Sequence, residues 1–107
     1  MESRRTRIEA MLAQDPSDQF LRYSLAMELE KEGLHEPSLA GLSTLQRDVA
    51  PYVAAFFMAA QQLTKLERIE EARETLRRGI EEARRQGNAH AAGEMSEFLA
   101  SLGRASE

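Results

Sequence analysis

The sequence predicts an all-α fold, a stack of antiparallel helix pairs built from about six helices. Three observations carry that prediction. From about Ser17 to Arg84, many residues have a like-natured counterpart thirty-four positions on. Tyr23 answers to Phe57, Leu25-Ala26 to Ala59-Ala60, Leu29 to Leu63, Lys31 to Lys65 and Leu42 to Leu76, and Ile8 leads into the last series. A fixed period of that length is the signature of a stacked helical repeat. No stretch alternates polar and apolar residues with period two for long, whereas apolar residues recur three and four apart. Only three prolines and six glycines punctuate the 107 residues.

The first helix covers about Ser3 to Ala13, with Ile8, Met11 and Leu12 on one face. Asp15-Pro16-Ser17 ends it, and Ser17 or Asp18 can cap the next helix. That helix runs from about Asp18 to Glu32 with a Leu21, Leu25, Leu29 stripe, and Gly33 supplies a left-handed stop. A third helix starts near Glu36 with Pro37 in its first turn, where a missing N–H costs little. Leu39, Leu42, Leu45 and Val49 form its apolar face, and Ala50-Pro51 marks the break after it. Helix four runs from about Pro51 to Leu66 and helix five from about Ile69 to Gln86. Gly87 stops helix five, and Asn88 caps a sixth helix over about Ala89 to Leu102. No Gly, Pro or strong cap lies between Thr64 and Ile69, so periodicity alone permits one long helix from Pro51 to Gln86. The thirty-four-residue period places Glu67 at the position of Gly33 and therefore predicts a turn over Leu66 to Arg68.

Composition narrows the function classes. The length suits one domain. A hydrophobic fraction of 42% with 6% aromatics and no Trp allows one modest core of Leu, Ala, Ile and Met. Charged residues make up 30%, both signs are mixed and the net charge is −4, which argues against a nucleic-acid partner. The Arg4-Arg5-x-Arg7 cluster reads as a solvated first turn. The chain has no cysteine, so disulfides, thiolate metal sites and Cys nucleophiles are excluded, and a cytoplasmic location is expected. Ile8 to Leu12 is broken by Glu9 and is no signal-peptide core. The longest apolar run, Tyr52 to Ala60, falls far short of the ~20 residues a membrane helix needs, so no membrane partner is expected.

The spacing resembles the tetratricopeptide repeat, whose pattern is aromatic-x2-Leu-Gly-x2-Tyr, then Ala-x3-Phe, then Pro. One copy reads Phe56-x2-Ala59-Ala60-x2-Leu63, then Ala72-x3-Leu76, with Gly79 at the small packing position. The other reads Arg22-x2-Leu25-Ala26-x2-Leu29, then Ser38-x3-Leu42. Pro16 and Pro51 stand for the closing proline, which is missing at Arg84. Small residues at Ala26, Ser38, Ala60, Ala72 and Gly79 let helices approach, and Leu25, Leu29, Leu42, Leu63 and Leu76 fill the seam. Arg22 replaces the preferred aromatic, its stem packing while the guanidinium reaches water, and Ala59 is smaller than the family's Leu. The resemblance implies a right-handed α/α superhelix, a small two-repeat protein of the bacterial type. Its parts would be a half-repeat helix over about 3–13, repeat one over about 18–50, repeat two over about 51–86 and a capping helix over about 88–102. Ala91, Met95, Phe98, Leu99 and Leu102 form one face of that last helix, while Glu94, Ser96, Glu97 and Ser101 face outward.

No catalytic constellation stands out. His35 and His90 lack partners at metal-ligand spacing, apart from the adjacent His35-Glu36, and read as surface or capping residues. No phosphate loop, metalloprotease helix or nucleophile elbow occurs. Glu70-Glu71 and Glu81-Glu82 alternate with arginines, so that Glu74 with Arg78 and Glu81 with Arg85 read as i,i+4 pairs on a solvated face. The chain is expected to be no enzyme and to need no cofactor or metal.

The resemblance also implies a concave groove lined by the first helix of each pair. Mapped here, the inward stripe carries Phe20, Tyr23, Met27 and Lys31, then Ala54, Phe57, Gln61 and Lys65, a mixed apolar and basic trough. Aromatic and Met side chains are favoured interface anchors. In so short a stack the end helices can instead fold over Tyr23, Met27 and Phe57 and make them core. Family members that clamp a C-terminal carboxylate use Lys or Arg and Asn where this chain has Tyr23, Phe57, Met27 and Gln61, which speaks against such a clamp, while Lys31 and Lys65 leave room for an acidic peptide. The expected function is a protein–protein interaction scaffold that holds a helix or extended peptide of another protein. The alternative is self-association into a homo-oligomer through the apolar surface of helix four, which is apolar nearly all round from Val53 to Ala60.

Overall fold

Side-chain caps or left-handed turns mark every break between helices except that between the third and the fourth. The computed structural model describes residues 2–105 and consists of α1 (Arg4–Gln14), α2 (Gln19–Lys31), α3 (His35–Gln46), α4 (Val53–Lys65), α5 (Ile69–Arg85) and α6 (Ala89–Ala105), with no strand among the described residues. Ser3 opens α1 by accepting the Thr6 N–H at 3.1 Å, and Asp18 opens α2 by accepting that of Leu21 at 2.8 Å. Asn88 does the same for α6, accepting the Ala91 N–H at 3.1 Å. Each cap satisfies one of the N–H groups that a helix start leaves without a partner.

The turns between α2 and α3 and between α4 and α5 are the same turn, thirty-four residues apart. After α2, the Gly33 N–H donates to the Glu30 carbonyl and the Leu34 N–H to that of Leu29, at 3.0 and 2.9 Å. After α4, the Glu67 N–H donates to the Thr64 carbonyl and the Arg68 N–H to that of Leu63, at 3.0 and 2.8 Å. Both are Schellman motifs, which need a left-handed residue after the helix. Gly33 takes φ 79° and Glu67 takes φ 61°. The break at Leu66 to Arg68 therefore exists although a glutamate, rather than a glycine, occupies its left-handed position.

Successive helices pack on one another from α1 to α6, and the molecule extends over 47 × 30 × 18 Å. The core has two contiguous parts with α4 between them. Ala26, Leu42, Leu45, Ala55 and Ala59 join α2, α3 and one side of α4. Phe56, Ala60, Leu63, Leu76, Ile80, Met95 and Leu102 join its other side to α5 and α6. Leu39 packs against both parts. The central position of α4 explains why its sequence is apolar nearly all round.

One boundary departs from the sequence reading. α3 ends at Gln46, and Val49 is fully exposed in the 47–52 connection instead of lying on the helix's apolar face. Pro51 disfavours helix at Ala50, and contacts from α2 hold the rest of the connection. Arg22 on α2 donates to both carboxylate oxygens of Asp48, at 2.7 and 3.1 Å, and Gln19 donates to Asp48 and to the Ala50 carbonyl, at 2.9 and 2.7 Å. These contacts, with the Tyr52 N–H donating to the Leu45 carbonyl at 3.0 Å, hold the 47–52 connection in its non-helical path. They also correct the reading of Arg22, whose guanidinium is held in a two-pronged ion pair rather than left to water. Arg22 and Gln19 hold the Asp48 carboxyl below its ordinary range.

Candidate functional site

The residues given packing roles occupy the interior, with two at its margin. Ala26, Leu42, Phe56, Ala59, Ala60, Leu63, Ala72, Leu76 and Gly79 are buried, and Leu25 and Leu29 are half-buried. Gly79 marks the tightest approach: a methyl group there would lie 2.6 Å from Phe56 Cβ and 2.7 Å from Met95 Sδ. Ser38 sits where α2, α3 and α4 meet, its hydroxyl 2.6 Å from the Ala26 carbonyl oxygen and 3.2 Å from Gln62 Oε1.

The inward stripe divides into separate regions. At its centre a hollow of about 340 Å³ is lined by Tyr23 of α2, Val53, Ala54 and Phe57 of α4, Ala91, Glu94 and Met95 of α6, and Asn88 and His90 at the start of α6. Its floor is apolar. Its rim is polar, with His90 Nε2 3.3 Å from a Glu94 oxygen. Helix α6 supplies a wall of this hollow, because Phe98 stacks obliquely on Phe57 with ring centroids 5.7 Å apart. Phe57 is thereby half-covered and packs against the α4–α5–α6 core. Tyr23 leans on Tyr52 at 5.4 Å, and burial, followed by electrostatic repulsion from the Tyr52 oxygen, raises the Tyr23 pKa above its ordinary value.

Phe20, Met27 and Lys31 belong to a second hollow, of about 250 Å³, which Tyr23 shares and Arg4 and Glu28 complete. Glu28 is 7% exposed and lies between two cations, Arg4 at 2.9 Å and Lys31 at 3.4 Å. Gln61 is half-buried and Lys65 exposed on α4, and neither lines these two hollows. The stripe is thus two largely apolar hollows, one beside α6 with Asn88, His90 and Glu94 at its rim and one beside α1 with Arg4, Glu28 and Lys31 at its edge, with Tyr23 between them.

Sequence reasoning missed Tyr52, Phe98 and the polar rim residues Asn88, His90 and Glu94 as parts of this face. The period points to them: Asn88 and Ala91 lie thirty-four after Ala54 and Phe57, so α6 repeats the role of α2 and α4. His35 is also placed differently from its sequence context, with Nδ1 2.7 Å from Glu30 of the preceding helix rather than paired with Glu36. Glu36 pairs instead with Arg68 across the stack. On α5, the Glu81 and Glu74 ion pairs form as expected, at 3.4 and 3.9 Å, but Glu82 is buried between Arg85 and Gln86 rather than solvated.

Solved structures share this arrangement. A tetratricopeptide repeat domain protein from Salinibacter ruber, solved in solution by NMR, matches with a TM-score of 0.77 at 30% identity, over 82% of this chain and 89% of that one. A protein from Bordetella parapertussis, also solved in solution, matches with a TM-score of 0.79 at 27% identity, over 97% of this chain and 90% of that one. No family model and no curated protein matches the chain.

Proposed function

The chain belongs to the tetratricopeptide repeat family, and on that footing we propose that it is a non-catalytic scaffold binding a peptide or helix of another protein across the face formed by α2, α4 and α6. Folds of this kind are in general protein-interaction scaffolds. The observation that carries the finer reading is the hollow of about 340 Å³, with its apolar floor and its rim of Asn88, His90 and Glu94. A floor of that kind takes one apolar side chain of a partner, and the polar rim takes its backbone or flanking residues. Lys31 and Lys65, farther along α2 and α4, favour acidic residues beyond the anchor. No helix among the described residues is long and apolar enough to cross a membrane, and a cytoplasmic setting fits the cysteine-free sequence.

This reading is favoured over self-association through α4. Ala55, Phe56, Ala59, Ala60 and Leu63 are consumed by neighbouring helices, which leaves α4 little apolar surface for a second copy.

Ala54→Arg tests the proposal. Ala54 is exposed at the hollow, so a long charged side chain fills the space without entering the core. The variant is expected to keep the helicity and melting temperature of the unaltered chain and to lose at least tenfold in affinity for a partner captured and identified with that chain. Unchanged affinity would remove the hollow from the binding surface. A dimer that persists on dilution, measured by light scattering, would favour self-association instead.

A further inference from the structure

The two ends of the stack are finished differently. Counting thirty-four residues on from Phe56, Ala59, Ala60 and Leu63 gives His90, Gly93, Glu94 and Glu97 on α6, all exposed. The positions that α4 buries within the stack are therefore exposed on α6, which ends the stack in water. At the other end, Ile8 and Met11 of α1 stand where α3 has Leu42 and Leu45. Leu42 and Leu45 are 0% exposed beneath α2 and α4, whereas Met11 is 49% exposed and Phe20 beside it is 65% exposed. A trough of about 400 Å³ runs between α1 and α2 over these side chains.

Two arginines set the chemistry of the trough. Arg4 and Arg7 occupy the places of Ser38 and Gly41 on α3, which meet the middle of α2. The Ser38 hydroxyl is 2.6 Å from the Ala26 carbonyl oxygen, and a methyl group on Gly41 would be 3.7 Å from Ala26 Cβ. A helix set on α1 in the register that α2 takes on α3 brings its midpoint opposite Arg4 and Arg7, whose length holds it farther off than Ser38 and Gly41 hold α2. Arg4 shares the carboxylate of Glu28 with Lys31, and Arg7 has no ion-pair partner among the described residues.

From this register we propose that the trough is a second docking site, distinct from the central hollow, for an amphipathic helix of a partner protein. The helix presents apolar residues to Met11 and Phe20, beneath which Ile8 is already buried, and a carboxylate at its middle turn to Arg4 and Arg7. A second copy fits poorly. Trough against trough sets these arginines against themselves, and the outer face of α6, although Glu94 stands at the place of Ala26, has no large apolar side chain among the described residues for Met11 and Phe20.

The chain provides its own probe. A labelled synthetic peptide of residues 17–33, the α2 sequence, is made with Ala26→Glu or with Ala26→Lys and titrated into the full chain by fluorescence anisotropy and amide chemical shifts. Exchanging attraction for repulsion at two partly exposed arginines is worth about tenfold in affinity. The Ala26→Glu peptide is expected to bind about tenfold tighter, to shift the amides of Ile8, Met11 and Phe20, and to lose its advantage in the Arg7→Glu protein. Met11→Asp, at an exposed position, is expected to abolish binding with the melting temperature retained. Equal affinity of the two peptides, the absence of saturable binding, or shifts confined to the α4–α6 face would overturn the proposal. So would concentration-dependent self-association that Met11→Asp abolishes, which would make a second copy the occupant.

Discussion

Replacing Gly79 with alanine sets helix propensity against packing, and the two have opposite signs. In a solvated helix interior, Gly→Ala stabilises by about 1 kcal/mol. At Gly79 the added methyl carbon would sit 2.6 Å from Phe56 Cβ, 3.0 Å from Phe56 Cγ and 2.7 Å from Met95 Sδ. Phe56 Cβ is fixed by the backbone of α4, and Met95 is fully buried, so relief requires α4 or α6 to move away from α5. Overpacking of this kind costs about 1–3 kcal/mol, and forcing helices apart lies at the upper end. The net expectation is a loss of about 1–2 kcal/mol, or a fall in melting temperature of roughly 5–15 °C for a domain of this size. Gly93 is the internal control, since it lies mid-helix in α6 and nothing comes within 4 Å of an added methyl. Gly93→Ala is expected to stabilise by about 1 kcal/mol. Thermal and urea unfolding followed by circular dichroism reads both. A Gly79→Ala protein as stable as Gly93→Ala would refute the close approach of α4, α5 and α6.

Other expectations follow from the same geometry. Glu67 is a non-glycine residue at φ 61°, and Glu67→Gly is expected to raise stability by about 0.5–1 kcal/mol in urea unfolding, because left-handed backbone is costly for side-chain-bearing residues. Asp48→Asn leaves Arg22 with a neutral partner and is expected to cost about 1 kcal/mol at pH 7. The Asp48 carboxyl is lowered on folding, so its contribution is complete above the unfolded value near ~4 and disappears as pH falls through the folded value. The stability difference between the unaltered chain and Asp48→Asn should accordingly shrink below about pH 4 in parallel acid-unfolding curves.

Much of the fold was legible because the period reports tertiary structure as well as local preference. Thr64 to Ile69 has no local stop signal, yet Glu67 lies thirty-four residues after Gly33 and takes up the same left-handed turn. The helix ends fixed by long-range polar contacts were illegible. Val49 continues the apolar spacing of Leu42 and Leu45; Pro51 signals a break only at the residue before it, and the reach of Arg22 and Gln19 to Asp48, which holds the 47–52 connection, leaves no local sign. The inward stripe was legible as a set of positions but not as a surface. Phe57 and Lys65 occupy it equally by register, but Phe98 arrives on Phe57 from a helix whose side-chain pattern reads locally as a cap. Asn88 likewise announces a helix start in sequence, and its place at the rim of the hollow depends on where α6 packs.

Amide hydrogen exchange, recorded on the chain alone and in complex with a captured partner, tests most directly whether the α2–α4–α6 face is the binding surface. Added protection is expected in residues 52–57 and 88–94 around the hollow, with α3 unchanged. Protection gained on α3 and the outer side of α5, with none around Ala54 and Ala91, would contradict it.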